Sequence, residues 1–333
     1  MRRLPGLVFA LVLLAGGVAA QVPGPQPSTR IPVVGVLYPG VPDPDIGASS
    51  RFSAVVALQD GLRDLGYVNG QNIVLEYRWG RGKSETLPNL AADLVRRKID
   101  VLVAVGSPGI RASLAVSRAI PIVGVDLETD PVESGYVTSF ARPGGNVTGL
   151  FLDLPELTGK WLQLVREVVP GARRVGVLWD STTSPHQLRA LKGAAQAAGI
   201  ELRVIEVRSP AEYEEALQTA MRAKIQALIQ LSSPLIRQAS RRVAEFTVKN
   251  RLPAISMFRE FPERGGLMAY GPDLVFLRRA APYVDKILKG AKPAELPVEQ
   301  PSKYEFVVNA KTARTLGLVI SQPLLLRADQ VIQ

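Results

Sequence analysis

The chain has 333 residues, of which 47% are hydrophobic and 21% are charged, and its formal net charge is +10. Chains of this size usually divide into two folded units, and the composition excludes a collagen-like, coiled-coil or largely disordered protein. A positive charge can attract nucleic acid. The basic residues are scattered beside apolar helix positions, however, which is typical of solvated helix faces, and we predict no nucleic-acid partner.

Residues 1–20 have the layout of a secretory signal peptide. Arg2 and Arg3 give a basic start, 7–14 is an unbroken apolar run, and small residues lead up to Ala20. The apolar run is far shorter than the roughly 20 residues of a membrane-spanning helix. We therefore predict cleavage near Ala20 and a soluble periplasmic product. Residues 21–30 are rich in proline and polar residues and predict a disordered leader.

From residue 31 onward, short apolar runs alternate with helical periodicity. Four buried strands are predicted at 33–38, 73–79, 101–105 and 120–125, with helices at 55–65, 87–95 and 110–116 between them. Continuous apolar strands that alternate with helices are typical of a parallel sheet covered by helices on both faces. The first part of the chain therefore predicts one α/β lobe.

The series restarts after residue 150. Further strands are predicted at 174–179, 202–207, 225–231, 253–257, 267–270 and 305–308, and helices at 157–168, 188–198, 210–222, 234–250 and 277–288. The second series repeats the strand and helix alternation of the first. The predicted fold class is α/β, with two doubly wound parallel-sheet lobes joined by a hinge.

The sequence holds few groups for catalysis. It has no cysteine, which also excludes a lipid on an N-terminal cysteine, and His186 is its only histidine. A histidine triad would need a nucleophile motif that the sequence lacks. We predict no enzyme, cofactor or metal site, and no lipoprotein. His186 is interpreted as a loop residue, with a polar contact at the mouth of a cleft as the alternative.

Four carboxylates follow the fourth predicted strand, namely Asp126, Glu128, Asp130 and Glu133. Paired carboxylates can act as acid and base or hold a metal ion. They can equally cap helices or contact a ligand. The sequence favours ligand contact or structure over catalysis but leaves the alternatives open.

Several long stretches of the chain resemble one family. They read LQDGLRDLGYVNGQNIVLEYRW at 58–79, TDPVESGYVTSFARPGGNVTG at 129–149, REFPERGGLMAYGPD at 259–273 and RRAAPYVDKILKGAKPAELPVEQPSKYEFVVNAKTARTLGL at 278–318. These stretches resemble the ABC-transporter substrate-binding proteins that include tryptophan- and tyrosine-type receptors, and the resemblance covers about 31–332. It implies the type I periplasmic-binding-protein fold, no cofactor, and capture of a small ligand for an ABC permease in the inner membrane.

The resemblance also implies the domain organisation. One lobe would take 31–150 plus 270–291, the other 151–269 plus 292–333, with hinge strands near 149–150, 269–270 and 292–293. We expect a monomer. Two other functions stay open: a partner that presents a ligand to a membrane sensor, and an exported enzyme that uses the clustered carboxylates.

A ligand of such a protein is expected between the carboxyl ends of the strands of two facing lobes. The predicted cleft residues are Tyr38, Ser107 and Asp126 from the first lobe, Trp179, Asp180, Ser232, Ser233, Phe258 and Arg259 from the second, and Tyr270 at the hinge. Alternatively, Trp179 belongs to the core and Asp180 caps a turn. Ser107 opens a helix, whose free N–H groups can hold a carboxylate.

The sequence does not fix the ligand, for which an amino acid, an aromatic compound or a small carboxylate are candidates. The aromatic-amino-acid relatives carry an Asn-rich loop where this chain has Trp179 to Thr183, so their specificity is not implied. Arg259 follows the predicted strand 253–257 and is predicted to anchor an anionic group through two hydrogen bonds. The alternative is that Arg259 pairs with Glu260, Glu263 or Asp180.

Overall fold

The structure is a computed structural model that describes residues 30–41, 54–152 and 155–333. The predicted signal peptide at 1–20 and the predicted leader, apart from Arg30, lie outside the described residues. No helix in the described ranges is long and apolar enough to cross a membrane.

The first sheet consists of five parallel strands. They are β1 (Val33–Tyr38), β2 (Val74–Trp79), β3 (Val101–Val105), β4 (Ile122–Asp126) and β5 (Val147–Phe151), in the order β2-β1-β3-β4-β5. Strands β3, β4 and β5 are buried along their whole length. Continuous burial is what apolar strands require when helices cover both faces of a parallel sheet.

Three helices follow strands of the first sheet, namely α1 (Ala54–Asp64), α2 (Leu87–Arg96) and α3 (Gly106–Val116). Helices α2 and α3 pack together on one face, where Leu94 and Ile110 are fully buried. Helix α1 buries Leu58 and Leu62 in a separate core cluster that also contains Val36 of β1. The sheet is therefore covered on both sides, as the sequence predicts.

The second sheet has seven strands. They are β6 (Arg174–Asp180), β7 (Glu201–Val207), β8 (Ala227–Gln230), β9 (Ala254–Ser256), β10 (Met268–Pro272), β11 (Tyr304–Asn309) and β12 (Gln330–Ile332), in the order β12-β11-β10-β9-β8-β6-β7. The pair β10 and β11 is antiparallel, and the other neighbouring pairs are parallel.

The remaining helices are α4 (Pro155–Val168), α5 (His186–Ala197), α6 (Tyr213–Arg222), α7 (Pro234–Gln238), α8 (Ser240–Lys249), α9 (Glu260–Glu263), α10 (Ala280–Leu288), α11 (Ala310–Thr315) and α12 (Gln322–Leu326). Helices α4 and α5 pack together and bury Trp161 and Leu191. Helices α6 and α8 bury Tyr213 and Val243 in another core cluster. The helix predicted at 234–250 is divided into α7 and α8 around Ala239.

The chain returns to the first sheet after β10. Helix α10 and the 3-10 turn before it, Leu274–Arg279, contact α1, and α10 also contacts β3, β4 and β5. The backbone stays beside β5 as far as Glu299, whose N–H donates to Gly149 O at 2.9 Å. Below, the first lobe means the first sheet with α1–α3, the 3-10 turn Leu274–Arg279 and α10, and the second lobe means the second sheet with the other helices. The residue bounds of the lobes stay a prediction.

The structure confirms the α/β fold class with two sheets, but two strands were not predicted. Strand β5 contains Thr148 and Gly149, which interrupt the apolar pattern, and it is still fully buried. Strand β12 has three residues at the edge of the second sheet, and two of them are exposed. Both strands are defined by their neighbours in the sheet rather than by their own composition.

Candidate functional site

The carboxyl ends of strands from the two sheets meet in one buried region. Tyr38 ends β1, Ser107 follows β3, Asp126 ends β4, Ser232 follows β8 and Phe258 follows β9. All five side chains are buried, and Phe258, the more exposed of the two second-lobe residues, is only 4% accessible. The sequence prediction placed these residues at a cleft between the lobes, and the structure brings them to that boundary.

Glu128 connects the two lobes at the centre of this region. Its Oε2 accepts a hydrogen bond of 3.2 Å from the N–H of Ser107, in the first turn of α3. Its Oε1 accepts one of 3.1 Å from the hydroxyl of Ser232, in the second lobe. A carboxylate is favoured at the N-terminus of a helix because the N–H groups there lack partners within the helix. Glu128 of the protein itself thus occupies the helix N-terminus at which the sequence suggests a ligand carboxylate.

Asp126 lies beside Glu128 and is fully buried. Its carboxylate accepts hydrogen bonds from the N–H of Glu128 at 2.8 Å and from the hydroxyl of Thr129 at 2.5 Å. Burial raises the pKa of the Asp126 carboxyl. Burial also raises the pKa of Glu128 well above its usual range, and the charge of Asp126 raises it further. Two buried neighbouring carboxyls resist being ionised together, because like charges in a desolvated site repel each other.

Arg237, in the short helix α7, brings a positive charge to the same region. Its Nε donates to Glu260 Oε1 at 3.0 Å, and its guanidinium lies 5.4 Å from the ring centroid of Phe258. The charge of Arg237 also acts on the hydroxyl of Tyr38 across the cleft. Burial raises the pKa of that hydroxyl, and the charge of Arg237 opposes the shift. The guanidinium is therefore held by Glu260 and Phe258 of the second lobe and interacts electrostatically with Tyr38 of the first.

A small cavity lies between these groups. Its volume is about 30 Å³, and it is lined by Tyr38, Ala54, Val105, Val125, Leu127, Glu128, Leu274 and Leu277 on the first lobe and by Pro234, Arg237 and Phe258 on the second. A cavity of roughly 150 Å³ is what benzene occupies in a protein core. A ligand of that size fits here only when the two walls move apart. The geometry is that of a closed cleft.

A second set of contacts joins the lobes at the rim. The N–H of Ser184 donates to the hydroxyl of Ser107 at 3.2 Å, and Arg111 donates to the carbonyl oxygen of Thr182 at 2.5 Å. Glu133 in the first lobe lies 2.5 Å from Nδ1 of His186 in the second lobe. The alternative role of His186, a polar contact at the mouth of the cleft, matches this position.

Two predicted site residues of the second lobe, Asp180 and Ser233, stabilise the loops beside the cleft. Asp180 accepts hydrogen bonds from the N–H and the hydroxyl of Thr182, at 2.9 and 2.6 Å. Ser233 caps α7 by accepting a hydrogen bond from the N–H of Ile236 at 2.9 Å. Burial raises the pKa of Asp180. The alternative interpretation of Asp180 as a turn residue describes these contacts.

Two predicted aromatic residues lie outside the cavity lining. Trp179 is half-buried and packs against the core cluster that contains Trp161. Tyr270 stacks on Tyr304 with ring centroids 6.1 Å apart, and its carbonyl oxygen accepts a hydrogen bond from Trp161 at 2.7 Å. Both side chains therefore pack within the second lobe instead of lining the cavity.

The structure does not bring Arg259 to the cavity. Its guanidinium donates to Glu263 at 3.0 Å, to Glu305 at 2.8 Å and to Gln330 at 2.7 Å. Arg259 directly precedes α9, so its side chain reaches the residue one helical turn later and the neighbouring strand β11. This position departs from the expectation that Arg259 anchors an anionic group. It matches the alternative, pairing with Glu263.

Sequence reasoning missed the roles of Glu128 and Arg237, and it offered Glu260 as a partner of Arg259 rather than of Arg237. The sequence places Glu128 only within a cluster of carboxylates, and it predicts only a helix at Arg237. The Ser232-Ser233-Pro234 sequence was the available signal, because a serine cap followed by proline marks a helix start whose first turn faces the cleft. Among the described residues, no group of three or more histidine, cysteine or carboxylate side chains is placed to hold a metal ion.

Two α/β sheets whose strand ends meet at a closed cleft define a ligand-binding protein of the type I periplasmic-binding-protein fold. The sequence profile of the family described as ABC transporter substrate binding protein matches residues 46–332. The chain belongs to this family.

Known proteins agree with this assignment. A tyrosine-binding protein of Clostridioides difficile is 27% identical over 262 residues, which are 77% of this chain and 74% of that protein. A solved structure of a conserved domain protein from Vibrio cholerae has 27% identity and a TM-score of 0.81, covering 91% of this chain and 100% of that one. A Streptococcus pneumoniae ABC domain in complex with L-Trp has 26% identity, a TM-score of 0.80 and the same coverage.

Proposed function

We propose that this protein is an exported solute-binding protein that closes its two lobes on a small ligand and delivers the ligand to an ABC-type importer. The observation that carries the proposal is the bridge made by Glu128, which binds Ser107 in its own lobe and Ser232 in the facing lobe. A buried side chain that bonds to both lobes couples closure of the cleft to the ligand inside it. The family supports the importer as the recipient.

The ligand is a small molecule. The named relatives support this, since one is a tyrosine-binding protein and another was solved with L-Trp. The apolar walls of the cleft favour a ligand with an apolar body, because burial of such a body is the main source of affinity in a closed cleft.

The experiment is a binding screen by thermal shift and isothermal titration, with amino acids, small carboxylates and amines. A ligand that binds the folded state raises its melting temperature by mass action. We expect stoichiometric binding without turnover. Reconstituted importer with this protein should then take up the bound compound into vesicles. Binding without any uptake would favour the delivery of a ligand to a membrane sensor, and steady-state turnover of a compound would favour an enzyme.

A further inference from the structure

We propose that the cleft selects a ligand that has an apolar body and an amine cation, that Glu128 holds this cation, and that the ligand needs no carboxylate. This inference rests on the proposed function of ligand capture. Two features of an ordinary carboxylate site are present in the cleft, a helix N-terminus and an arginine. Each is already paired with a carboxylate of the protein itself.

The helix N-terminus belongs to α3. Its Ser107 N–H donates to Glu128 Oε2 at 3.2 Å. Gly106 shows how close the carboxylate lies, because a Cβ atom on this residue would come 3.2 Å from Glu128 Oε2 and 3.1 Å from Pro234. A ligand carboxylate at this place would find the Ser107 N–H already bonded to an oxygen of Glu128.

The arginine is Arg237, which is the single cationic side chain among the described residues that line the cavity. Its charge is paired with Glu260, which is only 2% exposed. A ligand carboxylate would compete with Glu260 for Arg237, and loss of that pair would leave the glutamate buried without a cation. Such an exchange is unfavourable because a buried charge that loses its partner strongly destabilises the folded protein.

Two buried glutamates, Glu128 and Glu260, supply hydrogen-bond acceptors in this region. Glu128 faces a cavity whose other lining groups are mostly apolar. Independently, Glu260 Oε2 is buried and has no hydrogen-bond partner among the described residues. The charge of Glu260 acts on Tyr38, another residue of the cavity lining. The buried Glu260 oxygen without a donor and the buried Glu128 carboxyl beside an apolar cavity favour a ligand that supplies N–H groups. An ammonium supplies three donors and a positive charge.

The buried acids explain how the cleft tolerates the absence of such a cation. Glu128 faces Asp126 on its own strand end, Tyr38 on β1 and Tyr136 in the following loop, and the second lobe presents Arg237 and the hydroxyl of Ser232. The raised pKa of Glu128 favours its neutral form in the closed cleft. An ammonium group would replace that proton, because it supplies the positive charge that stabilises the ionised carboxylate.

Three probes with one phenyl body separate the possible chemistries: 2-phenylethylamine carries only the ammonium, 3-phenylpropionate only the carboxylate, and phenylalanine both. Isothermal titration of the full folded chain should show that 2-phenylethylamine binds at least as tightly as phenylalanine. We expect 3-phenylpropionate to bind weaker by about 30-fold or more, the scale of losing one partner of a buried charge pair. Binding of the amine should release protons, measured in buffers of different ionisation enthalpy.

The variant Glu128→Gln keeps an amide oxygen for the Ser107 N–H but removes the charge. It should weaken 2-phenylethylamine binding by about 30-fold or more and abolish the proton release. The matched control is Glu215→Gln, since Glu215 is an exposed glutamate of α6. The affinity of this variant for 2-phenylethylamine should equal that of the unmodified chain. Circular dichroism of both variants verifies that the fold is intact.

Tighter binding of 3-phenylpropionate or phenylalanine than of the amine would overturn the inference and leave the proposed function standing. Unchanged amine affinity in Glu128→Gln would overturn it as well. If no amino acid, small carboxylate or amine in the wider screen binds stoichiometrically, the proposed function itself fails.

Discussion

The carboxylate of Glu133 in the first lobe lies 2.5 Å from Nδ1 of His186 in the second lobe. The same carboxylate pairs with Arg189 at 2.9 Å, one helical turn along α5. The hydroxyl of Ser134 approaches the other ring nitrogen of His186 at 3.4 Å. These side chains form a latch at the rim of the cleft, whose contacts exist only when the lobes are together.

Removal of the latch should weaken ligand binding without loss of stability within either lobe. We expect Glu133→Gln to raise the dissociation constant about two- to fivefold, because partly exposed ion pairs contribute up to about 1 kcal/mol. The matched control is Glu214→Gln, which removes an exposed pair with Arg242 inside the second lobe. Stopped-flow measurement of ligand release should show faster release in the first variant alone. Equal release rates in the two variants would contradict the latch.

The pH dependence of stability should report the buried carboxyl of Glu128. Its pKa is raised in the folded chain, so the folded state holds the proton more tightly than the unfolded state. The stabilisation from this proton is present below the unfolded pKa and is lost as pH rises through the folded pKa. Glu128→Gln lacks this loss.

The melting temperature of Glu128→Gln relative to the unmodified chain should therefore increase as pH rises from the ordinary pKa of a glutamate towards the raised pKa of Glu128. Differential scanning calorimetry at several pH values in that range measures the difference. Parallel curves for the two proteins would show that Glu128 is ionised throughout the range.

Gly106 is predicted to be intolerant of a side chain. Its φ of +69° lies in the left-handed region, and a Cβ there would crowd Pro234 and Glu128. We expect Gly106→Ala to destabilise the protein by about 1 kcal/mol or more and to weaken ligand binding. Gly193→Ala is the control, because a Cβ at Gly193 in α5 meets open space and alanine favours helix by about 1 kcal/mol. Chemical denaturation curves would refute this prediction if both substitutions had the same effect.

Arg237 and Arg259 should differ in how their loss affects the protein. Arg237→Ala leaves the buried Glu260 without its cation, and breaking such a pair costs about 3–5 kcal/mol. Arg259→Ala removes contacts to Glu263, Glu305 and Gln330 at a more exposed site. For Arg259→Ala we expect a smaller loss of stability. Its ligand affinity should stay within about twofold of that of the unmodified chain. A large loss of affinity in Arg259→Ala would show that Arg259 contributes to ligand binding.

The α/β fold could be predicted from the sequence because apolar runs such as 33–38 and 101–105 are continuous and are separated by helical periodicity. The site was harder to predict. Arg237 and Arg259 both follow strands of the second sheet, and only the packing of α7 and α9 decides which guanidinium faces the cleft. The burial of Glu128 likewise depends on Ser232 in the facing lobe, and no local pattern around Glu128 encodes that contact.

Closure of the two lobes on a bound ligand can be measured as a change in the distance between them. The chain has no cysteine, so spin labels can be placed by Glu85→Cys in the first lobe and Glu215→Cys in the second, both at exposed positions. Pulsed electron–electron double resonance measures the distribution of distances between the two labels. As a stoichiometric ligand from the screen saturates the protein, this distribution should narrow to the single distance of this closed structure. An unchanged distance distribution with proven binding would show that the lobes do not close on the ligand.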